Sequence, residues 1–157
     1  MRVELDNYNN SGNITEIQAT YKAKVKPSER AKISSSRDTY QVLMNAFDQD
    51  KIEMREEFII ILLNRANKVL GWVQISSGGV SSTVADVKLI FGIALQMQAS
   101  AIILSHNHPS GNLKPSQADY DTTKKLKQAG VIMDIPILDH LICTPEGYTS
   151  MADEGDL

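Results

Sequence analysis

The feature that most constrains the fold is an unbroken apolar run, Phe58-Ile59-Ile60-Ile61-Leu62-Leu63. Its β-branched residues favour a strand, and the lack of polar alternation is typical of a strand buried on both faces. A polar loop over 64–68 leads to an apolar segment over 69–75, which predicts the second strand of a β-hairpin. Because both faces of such a sheet must be covered, an α/β fold is expected.

The rest of the chain alternates between predicted helices and strands. After a Gly/Ser-rich turn, the remaining elements are a helix capped by Thr83, a strand over 101–104 that ends just before His106, a helix over 116–129 ended by Gly130, and a strand over 135–144. This order predicts an α/β domain in which a mixed β-sheet is flanked by helices.

The first third of the chain is more polar than the remainder. An imperfect alternation over 14–21 predicts one edge strand, and Ser36 or Asp38 is placed to cap a helix with an apolar face over 40–47. Both elements are expected to pack on the core. The chain is accordingly divided into an N-terminal arm, residues 1–50, and a main domain, residues 51–157.

Composition narrows the class of protein. The formal net charge of −3 argues against a surface that is basic throughout. The lysines and arginines between residues 22 and 32 could contact phosphate, but a solvated basic face is the favoured interpretation. The single cysteine, Cys143, cannot form an internal disulfide and is expected to be a small buried side chain rather than half of a Cys–His site. With no visible secretory signal or membrane-spanning run, a cytoplasmic enzyme or binding module is expected.

The chemistry of the chain centres on His106 and His108. Two residues apart in an extended chain, they project to the same side, where both imidazoles can bind one cation. Asp119 supplies a third ligand from the following helix, and Ser116 lies three residues before it on the same helical face. Ser-x-x-Asp at a helix start is also the pattern of a capping box, but the nearby His-x-His pair favours a metal site.

The spacing of these residues resembles a known motif. His106-x-His108, seven intervening residues and Ser116-x-x-Asp119 are similar to the JAMM motif of MPN-domain metalloproteases. The fuller run over 105–116, together with Asp139-His140, resembles the RadC family, a bacterial branch of that group. The resemblance covers roughly residues 52–155 and implies an MPN/JAB-like α-β-α architecture, similar to that of cytidine deaminases.

The resemblance also implies a mechanism. It implies that His106, His108 and Asp119 bind zinc, with a water molecule in the fourth position whose pKa the ion would lower. Ser116 would donate a hydrogen bond to the developing oxyanion. The implied activity is zinc-dependent hydrolysis of an amide or isopeptide bond in a protein or peptide substrate.

Such a site also needs a general base. Glu53, Glu56 and Glu57 precede the first core strand, and periodicity does not choose among them. The family pattern Arg-Glu-x-Phe, matched by residues 55–58, favours Glu56, with Glu57 as the alternative; either could instead be a solvated charge at the start of the strand. His140 could support the metal or contact substrate, although a histidine in an apolar strand is more often a hydrogen-bonded structural residue.

Two other functions stay open. RadC-type proteins are expected to carry an N-terminal helix-hairpin-helix region that suggests DNA binding and DNA repair, but residues 1–50 lack its Gly-rich hairpins. A non-catalytic DNA-associated accessory protein is therefore the second hypothesis. A metal-dependent nuclease or base deaminase is the third and least favoured hypothesis. His-Asn-His suggests a nuclease, but in those nucleases the motif is spread over a ββα-metal unit, whereas here it is contiguous. The Pro-Cys-x-x-Cys of zinc deaminases is absent.

Overall fold

A computed structural model describes residues 23–78 and 85–157. A short 3₁₀ turn, Pro27–Glu29, precedes the main elements, which are α1 (Ser36–Met44), β1 (Glu57–Leu63), β2 (Val69–Ser77), α2 (Val87–Gln96), β3 (Ala101–Asn107), α3 (Gln117–Met133), β4 (Ile137–Thr144) and β5 (Gly147–Ser150). The strands form one sheet in the order β2-β1-β3-β4-β5. The expected mixed sheet flanked by helices is confirmed.

The pairing of the strands determines where loops meet the sheet. β1 pairs antiparallel with both β2 and β3, β3 pairs parallel with β4, and β4 pairs antiparallel with β5. Since parallel neighbours need a crossover connection, α3 spans from the end of β3 to the start of β4. The carboxyl end of β3 therefore lies where α3 begins, which is the usual location of a binding site in α/β sheets.

The continuous apolar run forms β1, and all seven of its residues are buried. Phe58, Ile60 and Leu62 pack in a cluster with residues of α2 and α3, which we call the α3-side core. The intervening Ile59 and Ile61 pack with residues of α1 in the α1-side core. Helices thus cover both faces of the sheet, which explains why this strand has no polar alternation.

The described part of the predicted N-terminal arm packs against the sheet. Ile33, Leu43 and Phe47 belong to the α1-side core, and the backbone N–H of Ile33 donates to the carbonyl of Asn67 at 2.9 Å. The predicted edge strand over 14–21 lies outside the described residues. Among the described helices, none combines the length and apolarity needed to cross a membrane.

Two predicted helix starts are wrong in detail. Ser35, rather than Ser36 or Asp38, caps α1, because its side chain accepts from the backbone N–H of Asp38. Asp86 caps α2, accepting from the backbone N–H groups of the next turn, whereas the predicted cap Thr83 lies outside the described residues. In both cases several neighbouring residues have capping side chains, and the backbone conformation selects among them.

The predicted end of the helix at Gly130 is also wrong. α3 continues to Met133 and ends at Asp134, which adopts a left-handed conformation with φ of 54°. Gly130 lies inside this helix, and a Cβ there would come within 2.6 Å of the carbonyl oxygen of Ile135. The glycine therefore permits a close approach of two backbone segments instead of terminating the helix.

This close approach predicts the effect of Gly130→Ala. Alanine adds up to about 1 kcal/mol to the stability of a helix interior, but overpacking against a backbone oxygen costs up to about 3 kcal/mol. We expect a net loss of about 1–2 kcal/mol in the free energy of unfolding, measured in urea. Gly92→Ala in α2 is the matched control, because its Cβ meets nothing within 4 Å and should stabilise the protein. Equal stabilisation by both variants would contradict the packing role.

Candidate metal centre

The fold brings together the three residues that the sequence assigned to metal binding. His106, His108 and Asp119 each offer a ligand atom, and these atoms lie within 4.8 Å of one another. The Nε2 atoms of the two histidines are 2.9 Å apart, and Asp119 Oδ1 lies 3.2 Å from His106 Nε2. Asp119 Oδ2 lies 3.9 Å from His108 Nε2. Two imidazole nitrogens and a carboxylate thus converge on one point.

Local structure explains this convergence. β3 extends to Asn107, so His106 lies within the strand and not just past its end as predicted. His108 continues the extended backbone, because its N–H donates to the carbonyl of Cys143 in β4 at 3.0 Å. The two side chains therefore keep the period-two spacing of a strand. The chain then turns at Gly111, whose φ is 77°, and returns to start α3.

Ser116 and Asp119 form a capping box, and Asp119 also belongs to the candidate ligand cluster. Ser116 Oγ donates to Asp119 Oδ2 at 2.6 Å, and the backbone N–H of Ser116 donates to the same oxygen at 2.7 Å. The backbone N–H of Asp119 donates back to Ser116 Oγ at 3.3 Å. Because the cap uses Oδ2, the other oxygen of Asp119 is directed to His106. The two interpretations of Ser-x-x-Asp are therefore compatible.

The electrostatics of Asp119 favour a charged carboxylate. Burial raises the pKa of Asp119, but its contacts with His106 and the hydrogen bonds from Ser116 lower it more. The pKa of Asp119 consequently lies well below its usual range. The group is ionised at neutral pH, as a metal ligand requires.

His140 lies directly behind the histidine pair. Its ring is fully buried, its Nε2 is 2.9 Å from His106 Nδ1, and its Nδ1 is 2.6 Å from Thr123 Oγ1. Burial, followed by the charge of His106, holds the pKa of His140 well below its usual range. The expectation of a hydrogen-bonded residue in an apolar strand is confirmed for this histidine.

The acidic residues before β1 differ in the face that they occupy. Glu57 is buried, and its carboxylate pairs with the Arg55 guanidinium at 3.1 Å. Strand alternation places Glu57 with Ile59 on the α1 side, away from His106. Glu56 and Phe58 are two residues apart, so strand alternation places them on the same face. The Phe58 ring lies parallel to that of His106, with centroids 6.2 Å apart.

The backbone of Glu56 continues the strand pairing. Its carbonyl accepts from the N–H of Gly78 at 3.0 Å, so the alternation of β1 extends to this residue. Glu56 is half-buried, whereas Glu53 is exposed in the preceding turn. Of the three acidic candidates, Glu56 therefore shares the histidine face of the sheet by strand parity.

Asn107 is a residue whose role the sequence did not reveal. It is fully buried between the two histidines, and its Nδ2 donates to the carbonyls of Ile52 at 2.6 Å and Arg55 at 2.9 Å. Its Oδ1 accepts from the backbone N–H of Glu57 at 2.7 Å. Asn107 thus ties the segment that carries Glu56 to the strand that carries the histidines. The sequence did carry one signal for this role: Asn107 is a polar side chain at a position that strand alternation directs into the core.

These contacts predict a large stability effect for Asn107→Leu. The substitution leaves two carbonyls and one N–H without their partner, and each buried unsatisfied group costs about 1–3 kcal/mol. We expect urea unfolding to report a loss of about 3 kcal/mol or more. Asn45→Ala removes an exposed amide that donates to the Gln41 carbonyl, and should change stability by less than about 0.5 kcal/mol. A loss no larger than that of the control would contradict the bridging role.

The side chain of Cys143 does not belong to the candidate ligand cluster. It is fully buried in the α1-side core, and burial raises the pKa of its thiol to about 12. Its Sγ lies 3.4 Å from Ser105 Oγ. The expectation of a small buried side chain is confirmed.

The fold and the site define an α/β domain with a His-x-His and aspartate centre that can hold a metal ion at the carboxyl end of a parallel strand. The chain belongs to the family of the RadC-like JAB domain, whose model matches residues 33–156. This match begins before residue 51, so it includes part of the predicted N-terminal arm.

Curated relatives carry the same domain within longer chains. A UPF0758 protein of Flavobacterium johnsoniae is 47% identical over 124 residues, covering 79% of this chain and 53% of the relative. A UPF0758 protein of Porphyromonas gingivalis is 42% identical over 127 residues, covering 80% and 55% respectively. The chain therefore spans about half the length of these two relatives.

Proposed function

We propose that the protein is a zinc-dependent hydrolase of the JAMM type that cleaves an amide or isopeptide bond in a protein or peptide. The observation that carries the proposal is the convergence of two imidazole nitrogens, 2.9 Å apart, with a carboxylate oxygen 3.2 Å from one of them. Membership of the RadC-like JAB domain family is consistent with a hydrolase.

The chemistry of the donor set fits a metal ion. His108 Nδ1 lies 2.5 Å from the carbonyl oxygen of Asn112, which can only accept, so this nitrogen carries a proton. In the neutral ring, His108 Nε2 then has a lone pair directed at His106 Nε2 and near the ionised Asp119. Lone pairs and a carboxylate repel one another at these distances unless a cation lies among them.

The ligand types favour zinc among the common ions. Two neutral imidazoles and one carboxylate are typical of catalytic zinc sites, which use three protein ligands and keep a position open. When bound, the ion supplies Lewis acidity and generates a nucleophile from water at neutral pH. His106, His108 and Asp119 would hold it.

The chain's own residues would move the protons. Glu56, which shares the histidine face by strand parity, accepts a proton from the attacking water and returns it to the leaving amine. Ser116 Oγ now donates to Asp119 and lies at the start of α3. In the proposal it donates to the developing oxyanion, where the positive end of the helix dipole adds stabilisation.

Metal analysis tests the proposal directly. Protein purified without chelators or metal-affinity media is expected to contain zinc, or to bind about one equivalent on titration. Proteolysis is then tested on a peptide library, with new amino termini identified by mass spectrometry. A protein that neither contains nor binds zinc would contradict the proposal, as would a zinc-loaded protein that cleaves no amide or isopeptide bond.

A further inference from the structure

A buried chain of hydrogen bonds connects two of the metal-binding residues behind the centre. It begins at His106 Nδ1, passes through the His140 ring, with contacts of 2.9 and 2.6 Å, and reaches Thr123 Oγ1. Thr123 Oγ1 lies 2.6 Å from the backbone carbonyl of Asp119, one helical turn earlier. His140 is fully buried and Thr123 is almost so, which keeps water from replacing these contacts.

The end of this chain determines its direction. The Asp119 carbonyl can only accept a hydrogen bond, so the single proton of the Thr123 hydroxyl is donated to it. Thr123 Oγ1 must then accept from His140 Nδ1, which places the proton of the neutral His140 ring on Nδ1. Burial favours this neutral ring over the imidazolium.

The same reasoning assigns the proton on His106. Because His140 Nε2 has a lone pair, it accepts from the Nδ1–H of His106. In neutral His106, the lone pair is therefore on Nε2, the atom that faces His108 and Asp119. The reverse tautomer would direct an N–H bond at the position of the metal.

Aromatic packing holds the two rings in place. The Phe58 ring lies parallel to His106, and it meets His140 edge-on with centroids 5.6 Å apart and an angle of 62°. These contacts restrict rotation of both imidazole rings. Because the rings are held in one orientation, the hydrogen bonds determine which nitrogen of each ring carries the proton.

We propose that Thr123 and His140 are positioning residues for the metal centre. The threonine hydroxyl selects the tautomer of His140, and His140 in turn selects the tautomer of His106 that presents Nε2 to the metal. This inference rests on the proposed metal function of the site. It gives a role to a polar histidine and threonine that lie in contact with an apolar core.

Thr123→Val tests the inference because it removes the hydroxyl at nearly constant volume. We expect zinc affinity, measured by competition with a chromophoric chelator, to fall about 10- to 100-fold, the usual effect of removing a residue that orients a ligand. Thr123→Ser restores a hydroxyl and should bind zinc within about threefold of the unaltered protein. If Thr123→Val fails to fold, Thr123→Ala carries the same prediction.

Thr39→Val is the matched control for a purely structural effect. Thr39 is also a buried helical threonine whose hydroxyl donates to the carbonyl four residues earlier, that of Ser35 at 3.3 Å. It lies in α1, on the opposite face of the sheet from His106. Its substitution should leave zinc affinity unchanged even if stability falls.

Histidine tautomers provide a second measurement that needs neither zinc nor substrate. Nitrogen-15 NMR of the zinc-free protein should show His106 and His140 protonated on Nδ1. In Thr123→Val, His140 Nδ1 loses its acceptor, so both rings should shift to protonation on Nε2. Unchanged tautomers, or zinc affinity within twofold of the unaltered protein, would overturn the inference. If the unaltered protein binds no zinc, the proposed function fails, and the tautomers still decide the inference.

Discussion

Glu56→Gln is expected to lower the rate of hydrolysis by about 10²- to 10⁴-fold while zinc remains bound. Glutamine keeps the size of the side chain but cannot accept the proton of the attacking water. Glu56 lies outside the group of ligand atoms formed by His106, His108 and Asp119, so metal content should not change. The rate is measured on a substrate from the peptide library, and zinc is measured on the same preparation.

Two matched substitutions sharpen this prediction. Glu53→Gln removes an exposed carboxylate from the preceding turn and should leave the rate unchanged. Glu57→Gln weakens the buried pair with Arg55, so it should lower stability without removing the base. Loss of zinc in Glu56→Gln would make Glu56 a ligand. An equal rate loss in a stable Glu57→Gln protein would assign the base to Glu57 instead.

Asp119→Asn is expected to weaken zinc binding by about 10²-fold or more. Zinc sites with four ligands bind with about 10–16 kcal/mol, so each ligand contributes roughly 3 kcal/mol, which corresponds to about 10²-fold in affinity. Asparagine retains an oxygen that can accept in the capping box with Ser116, so α3 should still form. Chelator competition measures affinity, and circular dichroism measures helix content.

Asp121→Asn is the control for this charge change. Asp121 lies two residues further along α3 and is exposed, where it accepts a hydrogen bond from Gln117. Its substitution alters the net charge equally and should not affect zinc affinity. If both variants bound zinc like the unaltered protein, Asp119 would be a capping residue only. If only Asp119→Asn lost affinity, Asp119 would serve both as a cap and as a ligand.

The local parts of the site could be predicted because short spacings determine geometry within one element. The period of a strand directs His106 and His108 to one side, and three residues in a helix put Ser116 and Asp119 on one face. The fold class followed similarly from the buried run of β1 and the alternation of elements. DNA association and the choice of substrate stay predictions, because composition and spacing do not identify a partner.

Features that depend on how closely two segments of the chain approach each other were predicted poorly. Gly130 has the usual signature of a helix end, yet its role is to admit the Ile135 carbonyl, which a sequence cannot reveal. Glu56 and Glu57 could not be separated by periodicity, since β1 is apolar on both faces. Because Phe58 and Ile59 belong to opposite cores, strand parity places Glu56 on the histidine side of the sheet and Glu57 on the α1 side.

The sequence by itself determined the three residues of the candidate metal centre, the helix that carries Asp119, and the α/β class of the fold. Only the tertiary structure decided how those residues are oriented. Thr123 and His140 are 17 residues apart, and His106 and His140 are 34 apart, so only the crossover from β3 through α3 to β4 brings them into contact. Hydrogen bonds between such distant residues determine tautomers and proton positions, because they depend on distances that the local periods of helix and strand do not set.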